Sequence, residues 1–188
     1  MPRVLRRVTT TAFDLVTTDE AKAHLRVEGT DEDTLIGTLV GAAADSLNWL
    51  GRSLSETSWE VDLDGFASEI PLPRPPLIAV SAVTYRDAAG ATQTLSTSVY
   101  EIVKPDGGIG FARCKPGQTW PATDGKPACV TLAFTAGYGS PYALPPSLRA
   151  AILLIVADLF ENRGGKTVSN LTVNPTVAAL LDPLRVWL

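Results

Sequence analysis

Few side chains in this sequence have the type and spacing to do chemistry. The chain holds a single histidine, His24, so a Ser-His or Cys-His catalytic pair would have to use it. It lies in Lys22-Ala23-His24-Leu25-Arg26, which reads as part of a short, acidic, amphipathic helix, where an ordinary surface or half-buried histidine is expected. No Gly-x-Ser-x-Gly elbow supplies a nucleophile. Gly165-Lys166-Thr167 has the closing residues of a phosphate-binding loop. That motif needs a glycine where Phe160 stands and a strand, not a helix, before the loop. Asp62-x-Asp64-Gly65 resembles a fragment of a calcium loop without its other ligands or its closing glutamate. Alternating acids on the exposed face of a strand explain it better. Cys114 and Cys129 lack companions at zinc spacing and read as free thiols in a reducing compartment. Twenty acidic residues single out no pair for glycoside chemistry. The expectation is a protein that is not an enzyme, with no catalytic residue, no metal and no cofactor.

Composition bounds the answer further. A chain of 188 residues with 45% apolar and 19% charged residues suggests one domain, or one with a small insertion, with a core large enough to need no metal or disulfide staple. Its longest wholly apolar run, Ala150 to Ala157, is far below the roughly 20 residues of a membrane helix. The basic start Arg3-Val4-Leu5-Arg6-Arg7 has no apolar region after it, so a signal peptide is not expected. The net charge of −4 argues against a protein that grips nucleic acid. Charge is also unevenly spread. Residues 14–50 hold eight acids against Lys22 and Arg26, a net of −6, whereas residues 1–13 hold three arginines. A solvated helix face, or a surface that repels nucleic acid or meets a basic partner, would account for this.

These residues must be carried by identifiable elements. Thr17 with Glu20 three residues on forms a capping box that starts a first helix ending near Val27, with Leu15 or Val16 as the staple. Asp31, Glu32 and Asp33 favour a helix N-terminus. Leu35, Ile36, Leu39, Val40, Ala43, Leu47 and Leu50 then predict a second helix of about twenty residues, with Gly51 at its C′ position. Trp59, Val61 and Leu63 alternate with acids, as in a half-buried strand. Pro71 to Pro76 cannot join a central strand. Leu77 to Arg86, Val99 to Val103, Ile109 to Phe111 and Val130 to Phe134 complete about five or six short strands. A third, well-buried helix follows Leu144-Pro145-Pro146, and Gly164-Gly165 ends it. After it come Leu171, Val173, Val177, Leu180, Leu181, Leu184, Val186, Trp187 and Leu188. Such apolar residues either fold back on the core or dock on a partner.

The order of these features is similar to that of tailed-phage head–tail connector (adaptor) proteins, including those of phage-like gene transfer agents. The resemblance runs from Leu15-Val16-Thr17-Thr18-Asp19-Glu20 through Leu50-Gly51-Arg52-Ser53-Leu54, Ile70-Pro71-Leu72-Pro73-Arg74-Pro75-Pro76-Leu77 and Val83-Thr84-Tyr85. It continues through Trp120-Pro121, Phe134-Thr135-Ala136-Gly137-Tyr138-Gly139, Leu144-Pro145-Pro146 and Phe160-Glu161-Asn162-Arg163 to Leu180-Leu181-x-Pro183-x-Arg185.

It implies an α+β fold: a helical bundle of about three main helices (residues 14–54 and 144–165), an inserted small antiparallel β-domain (55–143) and an extended C-terminal docking tail (166–188). It further implies a structural role in the virion, at the head–tail interface, after assembly in the bacterial cytoplasm. The implied partners are the portal protein, a stopper or tail-completion protein, and further copies of the chain in a ring, typically dodecameric. Double-stranded DNA would pass through the lumen without specific binding, and no membrane is involved. Portal binding then falls to Leu180, Leu181, Leu184, Val186, Trp187 and Leu188, and removing residues 171–188 is expected to abolish attachment while leaving the fold intact. The rival expectation is a β-rich module that binds carbohydrate or a host surface through Trp59, Trp120, Tyr138 and Tyr142.

Overall fold

A computed structural model of the chain describes residues 3–10, 15–139, 143–162 and 174–186. Among the described residues the architecture is α+β, with four α-helices and two antiparallel sheets. The described residues of Met1–Thr11 and Ser55–Gly137 form one compact unit, and those of Ala12–Leu54 and Tyr138–Trp187 form another.

The β unit is built on β1 (Arg3–Thr10), β2 (Thr57–Leu63), β3 (Glu69–Leu72), β4 (Leu77–Arg86), β5 (Thr92–Thr94), β6 (Tyr100–Val103), β7 (Gly110–Cys114) and β8 (Val130–Ala136). The larger sheet has the order β1-β2-β8-β4-β5 and the smaller β3-β7-β6. β8 is paired on both sides, with Val61 opposite Leu132 on β2 and Val83 opposite Leu132 on β4. Its sequence alternates as a half-buried strand must. Val130, Leu132, Phe134 and Ala136 are buried while Thr131, Ala133 and Thr135 are not. Ile70, Leu72, Tyr100 and Ala112 from the smaller sheet join the same apolar cluster, so each sheet buries one face. Pro71 lies within β3, an edge strand, where a missing ladder donor is tolerated.

The capping box at Thr17 is formed as expected: Thr17 N–H donates to Glu20 at 2.9 Å and Glu20 N–H donates to the Thr17 hydroxyl at 3.2 Å. It opens α1 (Thr18–Leu25), which ends at Arg26 in the left-handed region (φ 58°). α2 runs Asp33–Ser46, α3 Pro146–Glu161 and α4 Pro175–Leu181. Ile36, Val40, Ala43, Leu47 and Leu50 meet Leu148, Ala151, Ile152 and Val156 in one apolar core. Full burial of a side chain such as Ile152 contributes about 1.5–3 kcal/mol. Arg149 on α3 reaches back to the Glu20 carboxylate on α1, and Lys22 pairs with Asp33 at 2.6 Å. No helix among the described residues is long and apolar enough to cross a membrane.

Two strands lie beyond the expected set, and two expectations need correction. The basic N-terminal segment is a strand, β1, paired along its length with β2. Thr92–Thr94 forms the short edge strand β5. The second helix stops at Ser46, and the chain tightens into a 3-10 turn at Asn48–Leu50, because the Ser46 hydroxyl donates to the Ala43 carbonyl and the Leu47 N–H to the Ala44 carbonyl. Gly51 then takes the left-handed position (φ 73°). Lastly, the tail is not extended throughout. Asn174 accepts from Thr176 N–H at 3.0 Å and Pro175 occupies the first helical turn, so a fourth helix starts there. It is long enough to bring Leu181 into the core, where that residue is 1% exposed.

Two expected outcomes follow. Gly90 (φ 84°) has open space where a Cβ would stand, whereas at Gly137 (φ 121°) a Cβ would sit 2.1 Å from the Ser55 carbonyl oxygen. Gly90→Ala should cost about 1–2 kcal/mol and Gly137→Ala more than about 3 kcal/mol, read by denaturant unfolding. The Glu20 carboxyl is held below its usual value, first by the Thr17 backbone N–H and also by Arg149, against a partial burial that opposes it. Its contribution to stability is therefore present above the ordinary glutamate range and lost as pH falls through the depressed folded value. Glu20→Gln should flatten that part of the stability–pH curve.

Candidate docking surface at the chain terminus

The residues with chemical potential are dispersed. His24 is exposed on α1. Among the described residues no group of three or more His, Cys, Asp or Glu side chains could hold a metal ion. Cys129 is buried and Cys114 half-buried, and desolvation pushes the Cys114 thiol up, away from the reactive thiolate. Asp62 accepts from Arg6 and from the Thr131 hydroxyl, and Asp64 accepts from Ala128 N–H; both carboxylates serve the β unit. Gly165-Lys166-Thr167 lies outside the described residues.

The aromatic side chains named as stacking groups are occupied. Trp120 stacks on Phe66 at 4.7 Å and donates its indole N–H to the Ala67 carbonyl at 2.7 Å. Arg74 lies 5.5 Å over the Trp59 ring. Tyr138 is half-buried, and Tyr142 lies outside the described residues.

The C-terminal segment has a defined geometry. Leu181 is buried in the helical core, and Leu180 and Leu184 pack against that core while partly exposed. Asp182–Leu184 makes a 3-10 turn, after which Val186 N–H donates to the Leu50 carbonyl at 2.9 Å. The Arg52 Nε donates to the Leu184 carbonyl. Arg52 is only 8% exposed, and its guanidinium also reaches the Tyr138 hydroxyl, whose ionisation burial opposes. A Cβ on Gly51 would come within 3.0 Å of the Val186 carbonyl oxygen, so the glycine permits the close approach. The Arg185 guanidinium stands 5.4 Å over the Trp49 ring, and Trp49 is 48% exposed. Thus Leu180, Leu184 and Val186 share one anchored segment, Leu181 points inward, and Trp187 and Leu188 lie outside the described residues.

Sequence reasoning missed Trp49 and Arg52. Gly51 between them signalled a helix end, but nothing in the sequence said what would seat against it. Beside this segment, an open and mostly apolar groove of about 290 Å³ is lined by Leu154, Ile155, Leu159 and Val177, with Ser46, Asp158 and Asn174 as polar members.

Removing residues 171–188 would uncover the helical core, so that deletion should unfold the helical unit rather than spare it. The gentler change is Arg52→Ala, which deprives the half-buried Leu184 carbonyl of its donor at a cost of about 1–3 kcal/mol. Amide exchange at Val186 should accelerate with it, and Arg52→Lys should recover part of the protection. Unchanged exchange in Arg52→Ala would show that the segment is held by other contacts.

No protein-family model matches the sequence, and no curated protein matches it. Solved structures do. The chain is similar to a chain in the neck of an empty GTA particle computed with C6 symmetry, at 23% identity and a TM-score of 0.77, covering 98% of this chain and 96% of that one. It is similar to a chain in the virion of a native gene transfer agent (GTA) particle at 24% identity and a TM-score of 0.75, covering 97% and 95%. A chain in the neck of a native GTA particle computed with C12 symmetry gives 23% identity and a TM-score of 0.74, covering 98% and 96%. Across nearly its whole length, the chain has the fold of these particle proteins.

Proposed function

We propose that this chain is a structural component of the neck of a gene transfer agent or tailed-phage particle, acting as the head–tail adaptor. The observation that carries the reading is the agreement of fold over almost the full length of both chains, at a TM-score of 0.77 with a neck protein. A shared domain inside a larger, different protein would not give coverage of 98% and 96%. The order of sequence features supports the same reading independently of the coordinates.

In this role, copies of the chain form a closed ring of head-to-tail interfaces, and we take a dodecamer as the working stoichiometry. The ring joins the portal protein to the stopper or tail-completion protein and continues the DNA channel. The net charge of −4 and the acidic stretch of residues 14–50 suit a passage, because each phosphate contact would hold the moving duplex. The role asks no catalysis and no cofactor of the chain. Its place is the virion, after assembly in the bacterial cytoplasm.

Portal docking is assigned to the C-terminal segment in a narrower form than the sequence alone implied. Leu181 is committed to the core, so Leu180, Leu184 and Val186 contribute what they leave exposed, and Trp187 and Leu188 provide large apolar anchors. Holding the preceding residues rigid lowers the entropy that docking must spend.

The test is affinity capture of the tagged, full-length chain from cells producing particles, with partners identified by mass spectrometry. Portal protein together with a stopper or tail component is the expected recovery. Removal of residues 187–188 should abolish portal recovery while unfolding stays within about 0.5 kcal/mol of the parent. Recovery of neither partner from lysate shown to contain particles would contradict the adaptor role.

A further inference from the structure

We infer that the first strand of one copy packs against the acidic α1–α2 stretch of a second copy. The inference rests on the neck reading above and names the surfaces that would meet in such a ring.

β1 is an edge strand of the larger sheet: it pairs with β2 and, among the described residues, with no strand on its other side. It is also the most exposed long strand among the described residues. Val4 is 56% exposed and Val8 53%, and every described side chain of β1 except Leu5 is open to solvent. A register shift between Arg7 and Thr9 marks Val8 as a bulge, which turns that side chain out of the ladder. Long edges with protruding apolar groups are normally shortened, covered or charged, because they invite pairing. Here the charge is positive. Arg6 is spent on Glu60 and Asp62 of the neighbouring strand, but Arg7 is exposed and joins no ion pair among the described residues.

The charge decides between two geometries. Two β1 edges meeting in an isologous contact would bring like charges together, which is unfavourable. A heterologous contact with an acidic surface is favourable, and it is the kind a cyclic ring needs. The chain carries such a surface. Between residues 17 and 33, Glu20 is taken by Arg149 and Asp33 by Lys22. Asp19, Glu28 and Asp31 remain exposed and in no ion pair among the described residues. Arg7 and the bulged Val8 next to it therefore face carboxylates with apolar neighbours such as Leu25 and Val27, which are only partly buried, while Val4 lies on the other face of the same strand edge. The occupant that fits the β1 edge is the same chain, one position along the ring.

The experiment uses the full-length chain in cells that make particles. A photoreactive benzophenone side chain replaces Val4, cells are irradiated, particles are purified, and adducts are mapped by mass spectrometry. The unsubstituted chain is first sought in purified particles; its absence would remove the neck reading and the inference with it. With the chain present, adducts from position 4 to residues 17–33 of a second copy are expected. Adducts to a different protein, to another stretch of the chain, or none at all, would overturn the contact while the neck reading stands. In parallel, Arg7→Glu should lower the particle-associated amount roughly ten-fold, and adding Asp31→Arg should restore it. Failure of the second change to rescue a first variant that still folds by circular dichroism would also overturn the pairing.

Discussion

The guanidinium of Arg52 is the interaction around which the helical unit closes. A charge that is 8% exposed is costly unless its donors are satisfied, and here the partners are the Leu184 carbonyl and the Tyr138 hydroxyl. One side chain thus joins the segment after α2, the approach to α3 and the turn after α4. The Val186–Leu50 hydrogen bond and the bare backbone of Gly51 complete the seat. Because Leu184 and Val186 are fixed there, α4 is held over α3 and Leu181 fills the core. Without that anchor, a seven-residue helix would have little reason to persist, since isolated helices of such length are marginal in water.

Each unit has its own apolar core, and that bears on an assembly role. The proposed particle role would require the protein to hold its shape while its surfaces exchange solvent for neighbours. The β unit achieves this through a central strand paired on both sides, with Phe134 1% exposed beneath it. The helical unit achieves it by folding its own tail inward. What remains outside is a small set of unusual groups: the valines of β1, Trp49 with Arg185 over its ring, and the acids between residues 17 and 33. In an adaptor these are the features to be covered by other chains.

Local chemistry was legible wherever a short-range rule applied. The capping box at Thr17, the left-handed Gly51, the Leu77–Arg86 strand and the alternation of Val130, Leu132 and Phe134 all follow from turn chemistry or periodicity, and each is found. β1 was not legible, because Arg3-Val4-Leu5-Arg6-Arg7 lacks alternation, and its pairing with a distant segment, Thr57 to Leu63, is a tertiary fact. The tail was legible only in part. Its apolar residues demanded burial, but composition could not say that Leu181 turns inward while Leu184 stays partly open. The Asn174-Pro175 pair was the available signal for α4. Buried Arg52 was invisible, since arginine after a helix end ordinarily lies in water. The proposed function has no motif to announce it; it rests on the order of many weak features, and likeness to chains of gene transfer agent necks and virion at 23–24% identity is a statement about fold.

The central claim is a location: this chain belongs at the junction between head and tail. The most direct measurement is labelling of purified particles with a gold-conjugated antibody raised against the chain, viewed by electron microscopy. The account predicts gold confined to a single site per particle, at the neck, on particles whose neck is accessible or whose tail has been sheared away. Gold spread over the head surface, gold at the distal tip of the tail, or particles that contain none of the chain would contradict it.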